Sequence, residues 1–214
     1  MRAWLTAYAA ATATTASYTT ILDAATSGET DKPSKSTTTM YRDVLSQLWL
    51  LDPIPGWLPL DNAFARLAQT PKHFLVDPAL SARLLDLTAP TLLNGSEPGV
   101  RTPFGATMLG QLFEALVALG LRVYAQDNEA RVEHLRTRNG DHEVDFIVTG
   151  PGGRIVALEV KLSATVDEQD LTHLRWLADK VGGLLADSVI ITTGRYAYRR
   201  PDGIAVVPAA LLGP

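Results

Sequence analysis

Residues 143–161 read EVDFIVTGPGGRIVALEVK, two apolar, strand-like runs separated by a Gly-Pro-Gly-Gly turn. A turn of this composition between two such runs favours a β-hairpin. Successive side chains of a strand point to opposite faces, so Asp145 shares a face with Ile147, and Glu159 shares a face with Lys161. The segment therefore predicts an antiparallel hairpin whose largely apolar strands carry Asp145, Glu159 and Lys161.

The spacing of this hairpin places Asp145 opposite Glu159. A symmetric turn centred on Gly152 pairs the two residues directly, with Cβ atoms about 4.5–5.5 Å apart. Two carboxylates at that distance repel each other unless a cation lies between them, and oxygen ligands suit Mg²⁺ or Mn²⁺. Lys161 lies within reach on the same face. The alternative is a solvated strand face, but strands so rich in Val, Ile, Leu and Phe indicate a sheet that is covered on both sides.

The segments around the hairpin predict a mixed α/β domain. Residues 106–119 form a strongly apolar helix that is expected to end at Gly120. A second helix is expected over 167–181, with Thr165 and Glu168 spaced as a capping box. Further strands are predicted at 121–125, 131–137, 187–193 and 204–207. This order is typical of a mixed sheet with at least one helix packed on it.

The first third of the chain is predicted to be helical. Ser17 is positioned to cap one helix, and Met40, Val44 and Leu48 recur at helical spacing in another. Pro53 disfavours helical conformation in the residue before it, so the last helix stops by that point. Three helices followed by an extended, proline-rich segment resemble a winged helix-turn-helix.

A connector is expected between the two regions. Within it, Lys72–Val76 predicts a short strand, Asp77 is placed to cap a helix that begins at Pro78, and residues 89–104 are rich in loop-forming residues. The predicted domains are therefore 1–60, with a winged-helix-like fold, and 61–214, with the connector at 61–104.

Composition restricts the classes of function. The 214-residue chain has no cysteine, which excludes disulfides, thiolate metal sites and a cysteine nucleophile. A net charge of −4 and a pI of about 5.5 give no global basic signal for nucleic acid, although a local basic rim acts within a Debye length of about 8–10 Å. The N-terminus lacks the apolar core of a signal peptide, and no run of about 18 apolar residues predicts a membrane span. We expect a cytoplasmic protein without a membrane partner.

Four stretches, in this order, carry a resemblance to a known family: Pro71–Asp77, Gly110–Val117, His142–Ile147 and Ala157–Lys161. They resemble DUF4143, the C-terminal domain of a family of bacterial and archaeal AAA+-type ATPases, and residues 1–58 resemble the winged helix that usually precedes it. Asp145 followed by Glu159-Val-Lys161 resembles the signature of PD-(D/E)xK nucleases. The resemblance implies a restriction-endonuclease-like core and an ATPase, either as a partner or as an upstream module. The chain has no G-x-x-x-x-G-K-[ST] phosphate loop, so we expect no nucleotide hydrolysis.

The resemblance also implies roles for individual residues. Asp145 and Glu159 would hold one or two Mg²⁺ or Mn²⁺ ions, with the Val160 carbonyl as an extra ligand. Glu114 would complete the metal shell or bind through water, the alternative being a glutamate on the helix surface. Lys161 would position or help to deprotonate the attacking water and stabilise charge on the phosphate. The expected catalytic set is Glu114, Asp145, Glu159 and Lys161.

A second group of residues is interpreted as a nucleic-acid surface. Charged and aromatic side chains in Arg195–Arg200 suit phosphate contact and base stacking, although the segment also fits an ordinary surface loop. Gln169 is placed to contact substrate or metal-bound water, or is an exposed polar residue. The candidate binding residues are Gln169, Arg195, Tyr196, Tyr198, Arg199 and Arg200. Further basic candidates are Arg131, Arg136 and Arg138 beside the site and Lys32, Lys35 and Arg42 in the winged helix. The histidines at 134, 142 and 173 lack metal-ligand spacing and are interpreted as structural.

These observations lead to two hypotheses from different classes. The first is a metal-dependent nuclease that hydrolyses phosphodiester bonds of nucleic acid, with DNA as the expected substrate. The second is a non-catalytic module that binds DNA or a protein partner such as the ATPase. Cutting both strands of a duplex needs two sites, which fits a homodimer.

Overall fold

The computed structural model describes residues 1–27, 33–57, 70–94, 105–137 and 140–213. Its contacts divide the chain into two units, one formed by Met1–Ile54 with Thr70–Leu116 and the other by Pro55–Gln69 with Val117–Pro214. This division differs from the predicted boundary near residue 60, because part of the expected connector packs with the first helices. Positions 61–69 and 95–104 of that connector lie outside the described residues.

Helices dominate the described part of the first unit. Ser17 caps the second helix by accepting the Thr20 N–H at 3.0 Å, and Asp77 caps another by accepting the Ala79 N–H at 2.7 Å, both as predicted. The stretch 89–94 is helical, although the sequence favoured a loop there. The helices are α1 (Arg2–Ala10), α2 (Tyr18–Ala25), α3 (Lys35–Gln47), α4 (Pro78–Leu84), α5 (Ala89–Asn94) and the start of α6 (Gly105–Asp127).

The core of the first unit is formed by side chains of helices α1, α2 and α3 and of two short extended segments. Tyr8 and Ile21 are among its most deeply buried side chains. Antiparallel bridges pair Leu51 with Leu75 and Ile54 with Lys72, so the predicted strand at 72–76 is reduced to isolated bridges. Three helices followed by an antiparallel pair agree with the predicted order of elements. The winged-helix interpretation itself remains a prediction.

The second unit contains a six-stranded mixed sheet, which confirms the predicted mixed α/β class. The spatial order is β1-β2-β3-β4-β6-β5, with antiparallel pairing from β1 to β3, parallel pairing from β3 through β4 to β6, and antiparallel pairing of β5 with β6. The strands are β1 (Arg131–Arg136), β2 (Glu143–Thr149), β3 (Ile155–Val160), β4 (Leu185–Thr192), β5 (Tyr198–Arg199) and β6 (Ala205–Pro208).

One helix covers the face of this sheet that carries Ile147 and Ala157. Helix α7 (Thr172–Val181) follows a 3₁₀ turn at Glu168–Leu171 and buries Leu174 and Leu177 against that face. The Asp170 carboxylate accepts the Asp167 N–H at 2.9 Å, so the capping interaction begins at Asp167, whereas the sequence predicted Thr165. The other face buries Phe146 and Leu158. The strands are therefore covered on both sides, as their composition predicts.

The strand predicted at 121–125 was wrong, because α6 continues through Gly120 to Asp127. A single glycine is tolerated inside a helix at a cost of about 1 kcal/mol relative to alanine. Here Val117, Leu121 and Ala125 recur at helical spacing and are all buried, which offsets that cost. Tertiary burial thus decided between helix and strand for this apolar run.

Helix α6 also bears on the expected absence of a membrane span. Among the described residues, Met108–Asp127 is long and apolar enough to cross a membrane by length and composition alone. Core helices of soluble proteins pass the same criterion. Of this window, 39% is buried inside the protein.

Candidate functional site

The hairpin register brings Asp145 and Glu159 together. The ladder between β2 and β3 pairs Thr149 with Ile155 and continues to Phe146 opposite Leu158. Extending this register by one pair would set Asp145 opposite Glu159 at the carboxyl end of β3, and Asp145 does contact the backbone of the adjacent Val160. The symmetric turn predicted from the sequence is therefore present, and both carboxylates extend from the face that α7 covers farther along the strands.

The backbone next to Glu159 orients the Asp145 carboxylate. Its Oδ2 atom accepts the N–H of Val160 at 2.9 Å. A charge-assisted bond of this kind holds the side chain of a half-buried aspartate in one orientation. Val160 had been expected to contribute through its carbonyl, and the contact described here uses its N–H group.

Lys161 forms ion pairs with two carboxylates. Its Nζ atom lies 3.3 Å from Oε2 of Glu159, a side chain that is only 4% exposed, and 3.9 Å from Oδ1 of Asp170. Burial alone would lower the pKa of Lys161, but the charges of Glu159 and Asp145 outweigh it, and the pKa lies above its ordinary value. Lys161 is therefore an ammonium ion throughout the neutral range, suited to stabilising negative charge rather than to accepting a proton.

The donor set fits a hard divalent cation. Carboxylates on directly opposed positions supply oxygen ligands, and Mg²⁺ commonly retains several waters beside one or two carboxylates. Within the described ranges, no group of three or more His, Cys, Asp or Glu side chains is arranged to hold a metal. The chain would thus provide Asp145 and Glu159, leaving other positions to water, a backbone carbonyl or substrate oxygen.

Glu114 belongs to the first unit and pairs there with a lysine. Its Oε1 atom lies 2.6 Å from Nζ of Lys72, whose side chain is 1% exposed. The surface position considered as the alternative for Glu114 is therefore not observed, since 14% of its side chain is exposed. Its expected part in the metal shell stays a prediction.

Sequence reasoning did not identify Asp170 and gave the histidine pair His142 and His173 no functional role. Asp170 contacts Lys161. Gln169, in the same 3₁₀ turn, is exposed, which agrees with the alternative of an exposed polar residue. His142 and His173 meet with their Nδ1 atoms 3.4 Å apart, and His142 stacks on Trp176. A separation of 31 positions carries no local pattern, so only the packing of α7 on the sheet could reveal the histidine pair.

Internal ion pairs engage two arginines of the expected nucleic-acid surface. Both terminal nitrogens of Arg199 donate to Asp187, at 2.8 and 2.9 Å. Arg200 donates to Glu168 at 2.7 Å and Asp202 at 3.3 Å. These contacts join β5 to neighbouring elements.

The aromatic residues of the same segment are accessible. Tyr196 is 79% exposed and Tyr198 is 50% exposed, and Arg195 is also exposed. Among the other basic candidates, Arg136 pairs with Glu143 at 3.0 Å. Arg131 and Lys35 are exposed, whereas Arg42 lies over the Tyr18 ring. Lys32 and Arg138 lie outside the described residues.

These features define a class of protein: a mixed α/β domain in which a strand hairpin presents an aspartate, a glutamate and a lysine at one end of the sheet. Two protein-family models match the chain. Residues 109–212 match the family described as Domain of unknown function (DUF4143), and residues 1–91 match Domain of unknown function (DUF8612). The second half of the chain is thus similar to DUF4143 over residues 109–212.

Other comparisons are distant. No curated protein matches the chain. One solved structure, a half-complex of Thermococcus gammatolerans McrB AAA+ hexamers with bound McrC, is 12% identical with a TM-score of 0.33. The match covers 85% of this chain and 64% of that one. At this similarity nothing about the site is transferred from it.

Proposed function

We propose that this protein is a metal-dependent nuclease that hydrolyses phosphodiester bonds of nucleic acid, with DNA as the expected substrate, in the cytoplasm. The observations that support it most directly are the hydrogen bond from the Val160 N–H to Asp145, which brings that carboxylate beside Glu159, and the Lys161 ammonium 3.3 Å from Glu159. Glu159 is buried and Asp145 half-buried, and like charges so placed are costly unless cations compensate them. Lys161 supplies one positive charge, and a bound divalent cation would compensate the carboxylates further.

The residues divide the chemistry between them. Asp145, held by the Val160 N–H, and Glu159 would bind Mg²⁺ or Mn²⁺. Such an ion, when bound, lowers the pKa of a coordinated water and polarises a phosphoryl oxygen. Lys161 is positively charged and lies beside Glu159, so it would stabilise the negative charge that develops on the phosphate. Asp170, 3.9 Å from Nζ, would help to hold Lys161 in that position.

Cleavage of labelled single- and double-stranded DNA in the presence of Mn²⁺ tests this proposal. We expect cutting that EDTA abolishes and that Asp145→Asn removes, since asparagine can still accept the Val160 N–H but carries no charge. Asp179→Asn, an exposed carboxylate on α7, is the matched control. Equal inertness of wild type and variants, with no Mn²⁺ bound at the pair, would refute the nuclease.

A second candidate is the non-catalytic module that binds a partner, with the ATPase implied by the family resemblance as the expected one. The observation that favours it is an apolar stripe on α3 and the residues just after it, in the first unit. Met40, Val44 and Leu48, four residues apart, are 65%, 39% and 60% exposed, and the adjacent Trp49 is 82% exposed. Exposed apolar patches of this kind mark interaction surfaces. This candidate predicts association without Mn²⁺-dependent cutting.

A further inference from the structure

His142 and His173 bring two imidazole nitrogens together beside the carboxylate pair. His142 immediately precedes β2, and His173 lies in the first turn of α7. Their Nδ1 atoms are 3.4 Å apart, and the ring planes meet at 84°. We propose that these two histidines bind a divalent transition-metal ion such as Zn²⁺ or Ni²⁺, at a site separate from Asp145 and Glu159.

The separation of the two nitrogens suits a shared metal ion as well as a long hydrogen bond. At 3.4 Å the contact is longer than the about 2.7–3.2 Å of good N–H···O hydrogen bonds. Two imidazole ligands bound at 2.0–2.1 Å in a tetrahedral site are roughly 3.3–3.4 Å apart. The distance observed between His142 and His173 agrees with the second geometry.

The surroundings hold the first ring in place. The His142 ring stacks on Trp176 with centroids 4.0 Å apart and planes within 9° of parallel. Its backbone is tied to Thr137, whose Oγ1 accepts the His142 N–H at 3.1 Å and whose N–H donates to the His142 carbonyl at 2.9 Å. Little ordering of His142 is therefore needed when an ion binds.

The protonation state and local charge also suit a cation. Burial lowers the pKa of His173, with further lowering by His142 and Lys161 and a smaller opposing effect of Glu143 and Asp145. The neutral imidazole is the form that ligates metals. The charged groups that act on His173 are the carboxylates of Glu143 and Asp145 and the ammonium of Lys161. Carboxylates outnumber cations in that set.

Two protein ligands define the character of the site. The described part of the chain places no third His, Cys, Asp or Glu in a common metal-holding group with them. The remaining positions would be filled by water, so binding is reversible and open to an added oxygen ligand. Imidazole nitrogen prefers Zn²⁺, Ni²⁺ or Cu²⁺ to Mg²⁺, which distinguishes the pair from the carboxylates.

Fluorescence of Trp176 reports on binding, because His142 stacks directly on its ring. Titrating the untagged full chain with Ni²⁺ in a large excess of Mg²⁺, which fills the carboxylate pair, should quench this tryptophan, and equilibrium dialysis should recover one Ni²⁺ per chain. Loss of one of two ligands in His173→Gln should weaken binding by about tenfold or more, which corresponds to about 1.4 kcal/mol. Trp176→Phe should remove the quenching but retain the dialysed ion. Thr172→Ala, on the exposed surface of the same helix, is the matched control.

The outcomes separate this site from the carboxylate pair. Asp145→Asn should leave Ni²⁺ binding within about threefold, and excess Mg²⁺ should not displace the ion, since Mg²⁺ selects oxygen ligands. Unchanged Ni²⁺ affinity in both His142→Gln and His173→Gln, with folding verified by circular dichroism, would overturn the proposal. So would an equal loss in Asp145→Asn, which would place the ion on the carboxylates. Neither result depends on nuclease activity.

Discussion

Nζ of Lys72 and Oε1 of Glu114 form a buried ion pair, 2.6 Å apart, within the first unit. Removing one partner of such a pair leaves an uncompensated buried charge at a cost of about 3–5 kcal/mol, whereas removing both costs much less. We predict that Glu114→Leu lowers the free energy of unfolding by about 3 kcal/mol and that Lys72→Met/Glu114→Leu recovers most of the loss. Urea unfolding of the four proteins in the cycle measures this.

The control for that cycle is Glu129→Gln, an exposed glutamate. Strictly additive effects of the two substitutions would show that the pair contributes no coupling energy. If Glu114→Gln were as stable as wild type but inactive in the nuclease assay, the functional role expected from the sequence would be favoured over the structural one.

Lys161 is expected to act through its positive charge. Lys161→Met should reduce Mn²⁺-dependent cutting by about 10²–10³-fold, the size typical of removing one group that stabilises transition-state charge. Lys161→Arg should retain part of the rate. The pKa of Lys161 is raised above the ordinary lysine value of 10.5, so the ammonium persists at least up to that pH. Its ion pairs with the carboxylates stabilise the fold below pH 10.5, and this stability is lost as the pH rises through the higher folded pKa. Lys180→Met is the control, and comparable rates for Lys161→Met and wild type would contradict the assignment.

The internal ion pairs of Arg199 predict an uneven DNA-binding surface. Arg195 and Tyr196 are exposed, whereas Arg199 already donates to Asp187. Arg195→Ala should therefore weaken DNA binding and reduce the salt slope of log K by about one, as expected for one phosphate contact. Arg199→Ala should change the slope little. Fluorescence anisotropy at several salt concentrations measures both, and the reverse ranking would show that DNA displaces the Asp187 pair.

His73 predicts a pH dependence of stability in the first unit. Burial lowers the pKa of His73. The hydrogen bond that its Nε2–H donates to the Ala16 carbonyl, 2.7 Å long, has a smaller, opposing effect on that pKa. Its Nδ1 atom is buried without a hydrogen-bond partner in the described structure, so a second proton would be unsatisfied. Stability should be fully present above the unfolded pKa of about 6.5 and be lost as pH falls through the lower folded pKa.

Thermal unfolding between pH 7.5 and 5 tests this dependence. His73→Gln keeps a donor for the Ala16 carbonyl and does not titrate, so its melting temperature should fall less over that range than that of wild type. His142→Gln serves as the histidine control outside the first unit. Parallel curves for wild type and His73→Gln would exclude His73 as the source.

Gly120 offers a test of the continuous helix α6. A Cβ at this position would lie 3.4 Å from the Tyr124 ring, which is ordinary contact. Gly120→Ala should stabilise the protein by about 0.5–1 kcal/mol because alanine is the better helix former. Chemical unfolding measures the change. Gly153→Ala is the contrasting variant, since φ there is +76° and the substitution is strained.

The hairpin at 143–161 could be predicted because its determinants are local. Alternation of side chains and a turn centred on Gly152 decide which residues oppose each other, and the observed pairs from Thr149–Ile155 to Phe146–Leu158 follow the predicted register. The caps at Ser17 and Asp77 are local in the same sense, since each involves a backbone N–H two or three residues away.

Relationships over long sequence separations required the tertiary structure. An apolar run such as 121–125 has no period strong enough to separate strand from helix, and burial along α6 decided it. The Lys72–Glu114 pair, the internal partners of Arg199, and the approach of His142 to His173 join residues far apart in sequence. Alternation and turn chemistry act over a few residues, so the sequence alone determined the carboxylate hairpin. Packing brings distant segments together, so only the tertiary structure decided which charges are paired and which histidines meet beside that hairpin.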